Sequence, residues 1–145
     1  MPACPKRGRD FPTKYWGPAF WKTMHVSAVN YVKNDTNKRA WRHYLHTMLP
    51  LSLPCRKCRR HYMEKEKHFD YKTILASRES LMRFLVQLHN SVSADVARKT
   101  GRSFKPYKFS RHCRDLRQAR RSRTRRSRSR ARSRTSKRAL KRKRR

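Results

Sequence analysis

The sequence predicts an all-α domain, a compact four- to five-helix bundle, with a disordered basic tail behind it. Three observations lead there. Apolar residues recur at helical spacings in four successive segments. No segment alternates convincingly with period two, so no strand is expected. From Arg117 onward Arg alternates with Ser or Thr, with almost nothing apolar to bury, a composition that cannot offset the entropy of ordering a chain.

Taken in order, residues 1–14 read as a flexible basic arm broken by Pro2, Pro5 and Pro12. The first helix is expected after Gly17-Pro18, because proline is tolerated in a first turn, where its missing N–H has no intrahelical partner. Phe20, Met24 and Val32, and the pair Trp21/His25, fall at helical spacings along it. Asn34-Asp35-Thr36-Asn37 is a turn cluster able to cap the next helix. A second helix fits Lys38 to Leu49, with Trp41, Tyr44, Leu45 and Met48 as its stripe and Pro50 ending it. Leu51 to Pro54 reads as a short extended link, since residues before proline avoid the α region. A third helix fits Cys55 to about His68. A fourth starts near Ser77 or Ser80, carries Leu81, Phe84, Leu85, Leu88, Val92 and Val96, and closes at Gly101 in the C-cap position. The aromatic segment Phe104 to Phe109 follows. These boundaries divide the chain into an arm, 1–14, a helical domain, 15–110, and a tail, 111–145.

The chain has 145 residues, 42 Lys/Arg and 8 Asp/Glu, for a net charge of +34. From Arg111 onward there are 19 Lys/Arg and one acid, Asp115. The field favours polyanions such as nucleic acid, anionic membrane surfaces or acidic proteins, and carries no information on fold. About 100 residues bury one modest core, so a disulfide, cofactor or partner chain is an expected support. The N-terminus lacks the apolar run of a signal peptide. No stretch approaches the roughly 20 apolar residues of a membrane span. The tail run Arg121 to Ser129 and the cluster Lys137 to Arg145 suit non-specific nucleic-acid binding, nuclear import or phosphorylation-controlled release, against a plain solubilising extension.

Four cysteines are present: Cys4, Cys55, Cys58 and Cys113. Cys55-Arg56-Lys57-Cys58 opens a helix, where unpaired N–H groups stabilise a thiolate, and Arg56, Lys57, Arg59 and Arg60 add positive charge. Three readings stay open on residue chemistry alone. The pair is a redox-active dithiol; or Cys55, Cys58 and His61, with His68, His112 or Cys113, hold zinc in a basic nucleic-acid-binding module; or the pair is inert. Cys4 and Cys113 are single and without an assigned role.

The surroundings of the pair carry a resemblance. The first helix reads Trp16-Gly17-Pro18-Ala19-Phe20-Trp21-Lys22-Thr23-Met24-His25, a WxxxH from Trp21 to His25, and the fourth contains His89-Asn90-Ser91-Val92-Ser93. The order WxxxH, CxxC, HNxV(N/S), over about residues 15–107, resembles the Erv/Alr family of FAD-linked sulfhydryl oxidases. The resemblance implies a helical bundle holding FAD, with Cys55 and Cys58 as its redox pair. It assigns cofactor contacts to Trp16, Trp21, His25 and Tyr31 on the first helix, and to His89, Asn90, Val92, Ser93, Val96 and Arg98 on the fourth. Phe104 or Tyr107 supplies the closing aromatic. Ser93 stands where the family pattern has Asn, and Val96 and Arg98 where it has Leu and Lys. The resemblance further implies protein dithiol substrates, dioxygen as acceptor, and often a homodimer. The absence of a second CxxC shuttle resembles the short viral members, which act inside the host.

Overall fold

In a computed structural model, which describes residues 11–122, the chain folds into helices α1 (Thr13–Val29), α2 (Asp35–His43), α3 (Leu49–Ser52), α4 (Arg56–Glu66), α5 (Tyr71–Ile74) and α6 (Arg78–Thr100). A π-helical turn, Tyr44–Met48, joins α2 to α3. A further helix, α7, spans 109–122. No strand occurs among the described residues, in keeping with the all-α expectation. Contacts divide the chain into two units, Met1–Phe104 and Lys105–Arg145.

Several boundaries follow from side-chain caps that the sequence shows directly. The Asn34 side chain accepts from the Asn37 N–H at 2.7 Å and starts α2. Ser77 accepts from the Ser80 N–H at 3.0 Å and starts α6. Gly101 ends α6 with φ of 65°, a left-handed geometry suited to a residue without Cβ. Asp70 caps the single turn α5 through the N–H groups of Lys72 and Thr73.

The two proline positions differ from expectation. α1 begins at Thr13, after Pro12, and Pro18 lies inside it. The hydrogen bond lost there is confined to the opening turns, where Lys14, the residue whose carbonyl loses its partner, is exposed. Pro50 does not end its helix: the backbone stays helical from Asp35 to Ser52, and the first extended residue is Leu53. The π turn makes this possible. The Leu49 N–H bonds to the Tyr44 carbonyl, five residues back, and Pro50 then opens α3 as a first-turn proline.

That shift leaves the Leu45 carbonyl without a backbone donor, because the residue five positions on is Pro50. Tyr62 of α4 supplies one: its buried hydroxyl donates to Leu45 at 2.6 Å. Burial pushes the Tyr62 phenol pKa well up, so the group stays a donor. Around this bond lies the core, with Leu45, Leu49, Leu81 and Leu85 almost wholly buried, each stabilising by about 1.5–3 kcal/mol. Phe69 packs edge-on against Phe84 at 4.8 Å and against Tyr62 at 5.9 Å.

In the second unit α7 has an apolar stripe at Phe109, His112, Cys113 and Leu116, all buried or half-buried. Its helical backbone thus extends into the stretch where the sequence reading places the tail. The remaining tail, from Arg123, and the arm residues 1–10 lie outside the described residues, as does Cys4.

Removing the Tyr62 hydroxyl leaves a buried carbonyl unsatisfied, so Tyr62→Phe is expected to cost about 1–3 kcal/mol in urea unfolding. In a Pro50→Ala background, where a backbone N–H is restored, the same change should cost clearly less. Equal costs in the two backgrounds would refute the link between Pro50 and Tyr62.

Candidate functional site

The site begins at the turn before α4. Cys55 is the N-cap of α4, and its Sγ accepts from the Cys58 N–H at 3.1 Å. The two cysteines are joined as a disulfide, with Cα atoms 5.2 Å apart. A sulfur in this position faces the positive end of the helix, which favours a thiolate once the bond opens. Arg56, Lys57 and Arg60 are exposed around it. The turn is fastened to the start of α1: the Phe11 N–H donates to the Pro54 carbonyl at 3.2 Å, and Trp16 Nε1 donates to the Phe11 carbonyl at 3.2 Å. The cysteine cap is thereby held beside the first turns of α1.

Between α1, α4 and α6 lies a cleft of about 140 Å³. α1 contributes Trp16, Phe20, Trp21 and Met24; α4 contributes Cys58, His61, Tyr62 and Lys65; α6 contributes Leu88, Val92, Asp95, Val96 and Lys99. Each set follows helical spacing, so one face of each helix meets the others. Cys58 therefore sits in a mostly apolar, aromatic-walled slot, while Cys55 is not among the lining residues. Leu49 and Leu53 close the slot.

Trp21 is fixed from behind. Its ring stacks on His89 with centroids 4.1 Å apart and planes within 8°. His25 lies 6.1 Å from the same ring, and His25 Nε2 meets His89 Nδ1 at 3.3 Å. The three rings pin α1 to α6. The two imidazoles touch each other and leave no gap between them; the slot opens beside Trp21 instead.

A polar row runs along one side of the cleft. Lys65 pairs with Asp95 at 2.8 Å and donates to the Ser91 hydroxyl at 2.7 Å, while Arg98 pairs with Asp95 at 2.9 Å. The hydrogen bond from Lys65 holds the Asp95 carboxyl below its ordinary range. Lys99 Nζ lies 3.4 Å from the His61 ring. Withdrawal from solvent, then the charges of Lys99, Lys57 and Arg60, hold the His61 imidazole below its usual range, against the pull of Asp95. His61 lies one turn beyond Cys58 on the same face of α4.

The structure thus brings Trp16, Trp21, Cys58, Val92 and Val96 into one slot, with His25 and His89 packed behind Trp21. It does not bring Tyr31 there: that ring is buried in the core, and its hydroxyl donates to the Leu75 carbonyl at 2.7 Å. Asn90, Ser93 and Arg98 occupy α6 positions outside the lining set, Asn90 on the side opposite Val92 and Asp95. Phe104 is 37% exposed just past α6. Tyr107 belongs to the second unit, where burial and a hydrogen bond to Asp115 push its phenol pKa up to about 12. The zinc arrangement is not formed: the two sulfurs bond to each other, and among the described residues no three His, Cys, Asp or Glu side chains converge as a metal site.

Sequence reasoning missed Phe20, Met24, Lys65, Asp95 and Lys99 as cleft residues, and took His61 only as a zinc ligand. A signal was present. Trp16, Phe20 and Met24 recur every four residues, as do His61 and Lys65, or Asp95 and Lys99.

The sequence resembles those of known proteins. Residues 18–131 match the family model described as Erv1 / Alr family. Over 84 residues the chain is 33% identical to a protein of Invertebrate iridescent virus 3, a match covering 56% of this chain and 55% of that one. Over 91 residues it is 32% identical to one from Invertebrate iridescent virus 6, covering 58% and 81% respectively. Over 84 residues it is 31% identical to one from Frog virus 3, covering 54% and 55%. All three relatives are named as FAD-linked sulfhydryl oxidases. The chain spans little more than half the length of the first and third.

A proton titration followed by NMR should find His61 protonating below the usual value of about 6.5. Lys99→Met should move its midpoint upward, because one repelling cation is gone. An unchanged midpoint in Lys99→Met would contradict the electrostatic origin of the shift.

Proposed function

The chain belongs to the Erv1/Alr family, and from that premise we propose that it is an FAD-dependent thiol oxidase, which makes disulfides in protein dithiol substrates with dioxygen as the oxidant. The observation that carries this reading is the placement of one sulfur of a helix-capping disulfide, Cys58, in the wall of an aromatic slot.

The residues present suit the ring end of FAD. Trp16, Phe20 and Trp21 offer aromatic faces for a flat, polarizable heterocycle, and Val92 and Val96 offer apolar contact. Lys65 and Lys99 place cations at the same cleft, where anionic parts of such a ligand gain most. The volume is below the roughly 300–1,000 Å³ of whole ligand pockets, and accounts for part of a dinucleotide. In this reading Trp16, Trp21, Val92 and Val96 touch the cofactor, while His25 and His89 fix the Trp21 ring. Asn90, Ser93 and Arg98 remain part of the cofactor set on the strength of the family pattern.

The chemistry of the chain's own residues is thiol–disulfide exchange. A substrate thiolate attacks Sγ of Cys55, the Cys55–Cys58 bond breaks, and its electron pair goes to Cys58. The second substrate thiol attacks the mixed disulfide and releases Cys55, so the substrate leaves oxidised and two protons are lost. The helix N-terminus and the neighbouring cations stabilise the thiolates formed. When bound, FAD supplies the two-electron acceptor that reoxidises the pair and passes electrons to dioxygen, giving hydrogen peroxide. Cys58 faces the cofactor side and Cys55 the substrate side, which separates the two half-reactions in space.

The finer assignments belong to the same reading: the basic tail binds nucleic acid or another polyanion, the chain pairs as a homodimer, and it works inside a host cell or virion, with Lys137 to Arg145 able to direct it to the nucleus. No helix among the described residues is long and apolar enough to cross a membrane.

The purified chain is expected to be yellow and to consume oxygen with dithiothreitol. Cys55→Ser and Cys58→Ser should each abolish turnover while the colour stays. His89→Ala, which removes the ring under Trp21, should lose colour. Undiminished turnover in both cysteine variants would sink the mechanism. For the tail, a chain ending at Ser122 should bind DNA more weakly than the full chain and with a shallower salt dependence; equal affinity and slope would exclude a tail contribution.

A further inference from the structure

A second cleft lies between α2 and α5, on residues none of which lines the aromatic slot. Its volume is about 570 Å³, within the range of ligand pockets, roughly 300–1,000 Å³. Five cations surround it: Lys33, Lys38, Arg39, Arg42 and Lys72. Its floor is Tyr71, Leu75 and Ala76. Three carboxylates stand near and all are engaged, Asp70 as the cap of α5 through the N–H groups of Lys72 and Thr73. Asp35 pairs with Lys38 at 3.2 Å. Glu66 accepts from the Tyr71 hydroxyl at 2.5 Å and meets His46 Nδ1 at 2.8 Å. The Arg42 guanidinium lies over the Tyr71 ring, 5.5 Å from its centroid. Even with all three acids counted against the five cations, positive charge remains in surplus.

A cationic rim over an apolar, aromatic floor selects a ligand with both anionic and flat apolar parts. We propose that this cleft binds a single strand of nucleic acid, its phosphates on Lys33, Arg39 and Lys72 and a base on the Arg42 guanidinium that lies over Tyr71. Single-strand sites combine these two elements, a positive groove and a flat surface on which bases stack. A duplex keeps its bases stacked inside and gives that surface nothing. An acidic peptide satisfies the rim but has no flat face to lay on the guanidinium. None of the cleft residues belongs to the Arg/Ser run of the sequence, so the proposed contact is on the helical domain itself.

The test uses the full chain and a fluorescently labelled oligothymidylate, with affinity measured across a salt series. Lys33→Gln, Arg39→Gln and Lys72→Gln are combined in one variant; all three side chains are exposed, so the fold should tolerate them. A control variant combines Lys14→Gln, Lys22→Gln and Arg78→Gln, also exposed and outside both clefts. Each phosphate deprived of its cation lowers the single-strand salt slope by about 0.7, so the slope of the cleft variant should fall by about 2 and that of the control much less. The oxidase rate should be unchanged in the cleft variant. An equal fall in the control would reduce the effect to net charge and overturn the site. An unaltered slope in the cleft variant would overturn it as well. A matched duplex losing as much affinity as the single strand would overturn the assignment to single strands.

Discussion

One hydrogen bond organises the domain: the Tyr62 hydroxyl on the Leu45 carbonyl. Pro50 cannot donate, and the π turn before it diverts the Leu49 N–H to Tyr44. The carbonyl left over is buried, and a buried carbonyl demands a partner. Only a donor reaching in from another helix can serve, and the helix that supplies it carries the cysteines. Cys58 lies four residues before Tyr62, so the two share a face of α4. Once the tyrosine is seated, the sulfur is seated too. The disulfide is thus positioned by a proline on a neighbouring element.

Much of this was legible in the sequence because its causes are local. The caps at Asn34 and Ser77 and the glycine at 101 depend on residues within one turn, and they lie where the composition put them. The helix-opening cysteine pair and the Trp21/His25 spacing are local in the same sense. Prolines were harder to read. Whether Pro50 stops a helix or sits in a π-adjusted one depends on a donor from α4, which no local window contains. The site was legible in outline and not in depth. WxxxH and HNxV mark the two helices that meet, yet the imidazoles engage each other and Trp21. Asp95, Lys65 and Lys99 form the polar edge through contacts between α4 and α6 that sequence spacing alone does not announce. Tyr31 lies in the core, outside the slot, with its hydroxyl on the Leu75 carbonyl, a contact with a residue 44 positions away that no local window contains.

Every carboxylate among the described residues is already engaged: Asp35 with Lys38, Glu64 with Lys67, Glu66 with Tyr71 and His46, Glu79 with Arg83, Asp95 with Lys65 and Arg98, Asp115 with Tyr107, and Asp70 as a helix cap. Most of these pairs are exposed and contribute little to stability. Their effect is on the field. None of these acids is left to neutralise the surplus cations, so the net field is positive and draws anions at low ionic strength.

The cap at the start of α4 has a consequence for repeated use. Cys55 accepts the Cys58 N–H through a lone pair on sulfur, and that lone pair survives whether the atom is bonded to Cys58, to another protein's sulfur, or to nothing. The helix end therefore need not fray when the bond partner changes. An oxygen cap such as serine would hold the helix equally well but could not trade partners. Sulfur at this one position lets structural support and chemical exchange reside in a single atom.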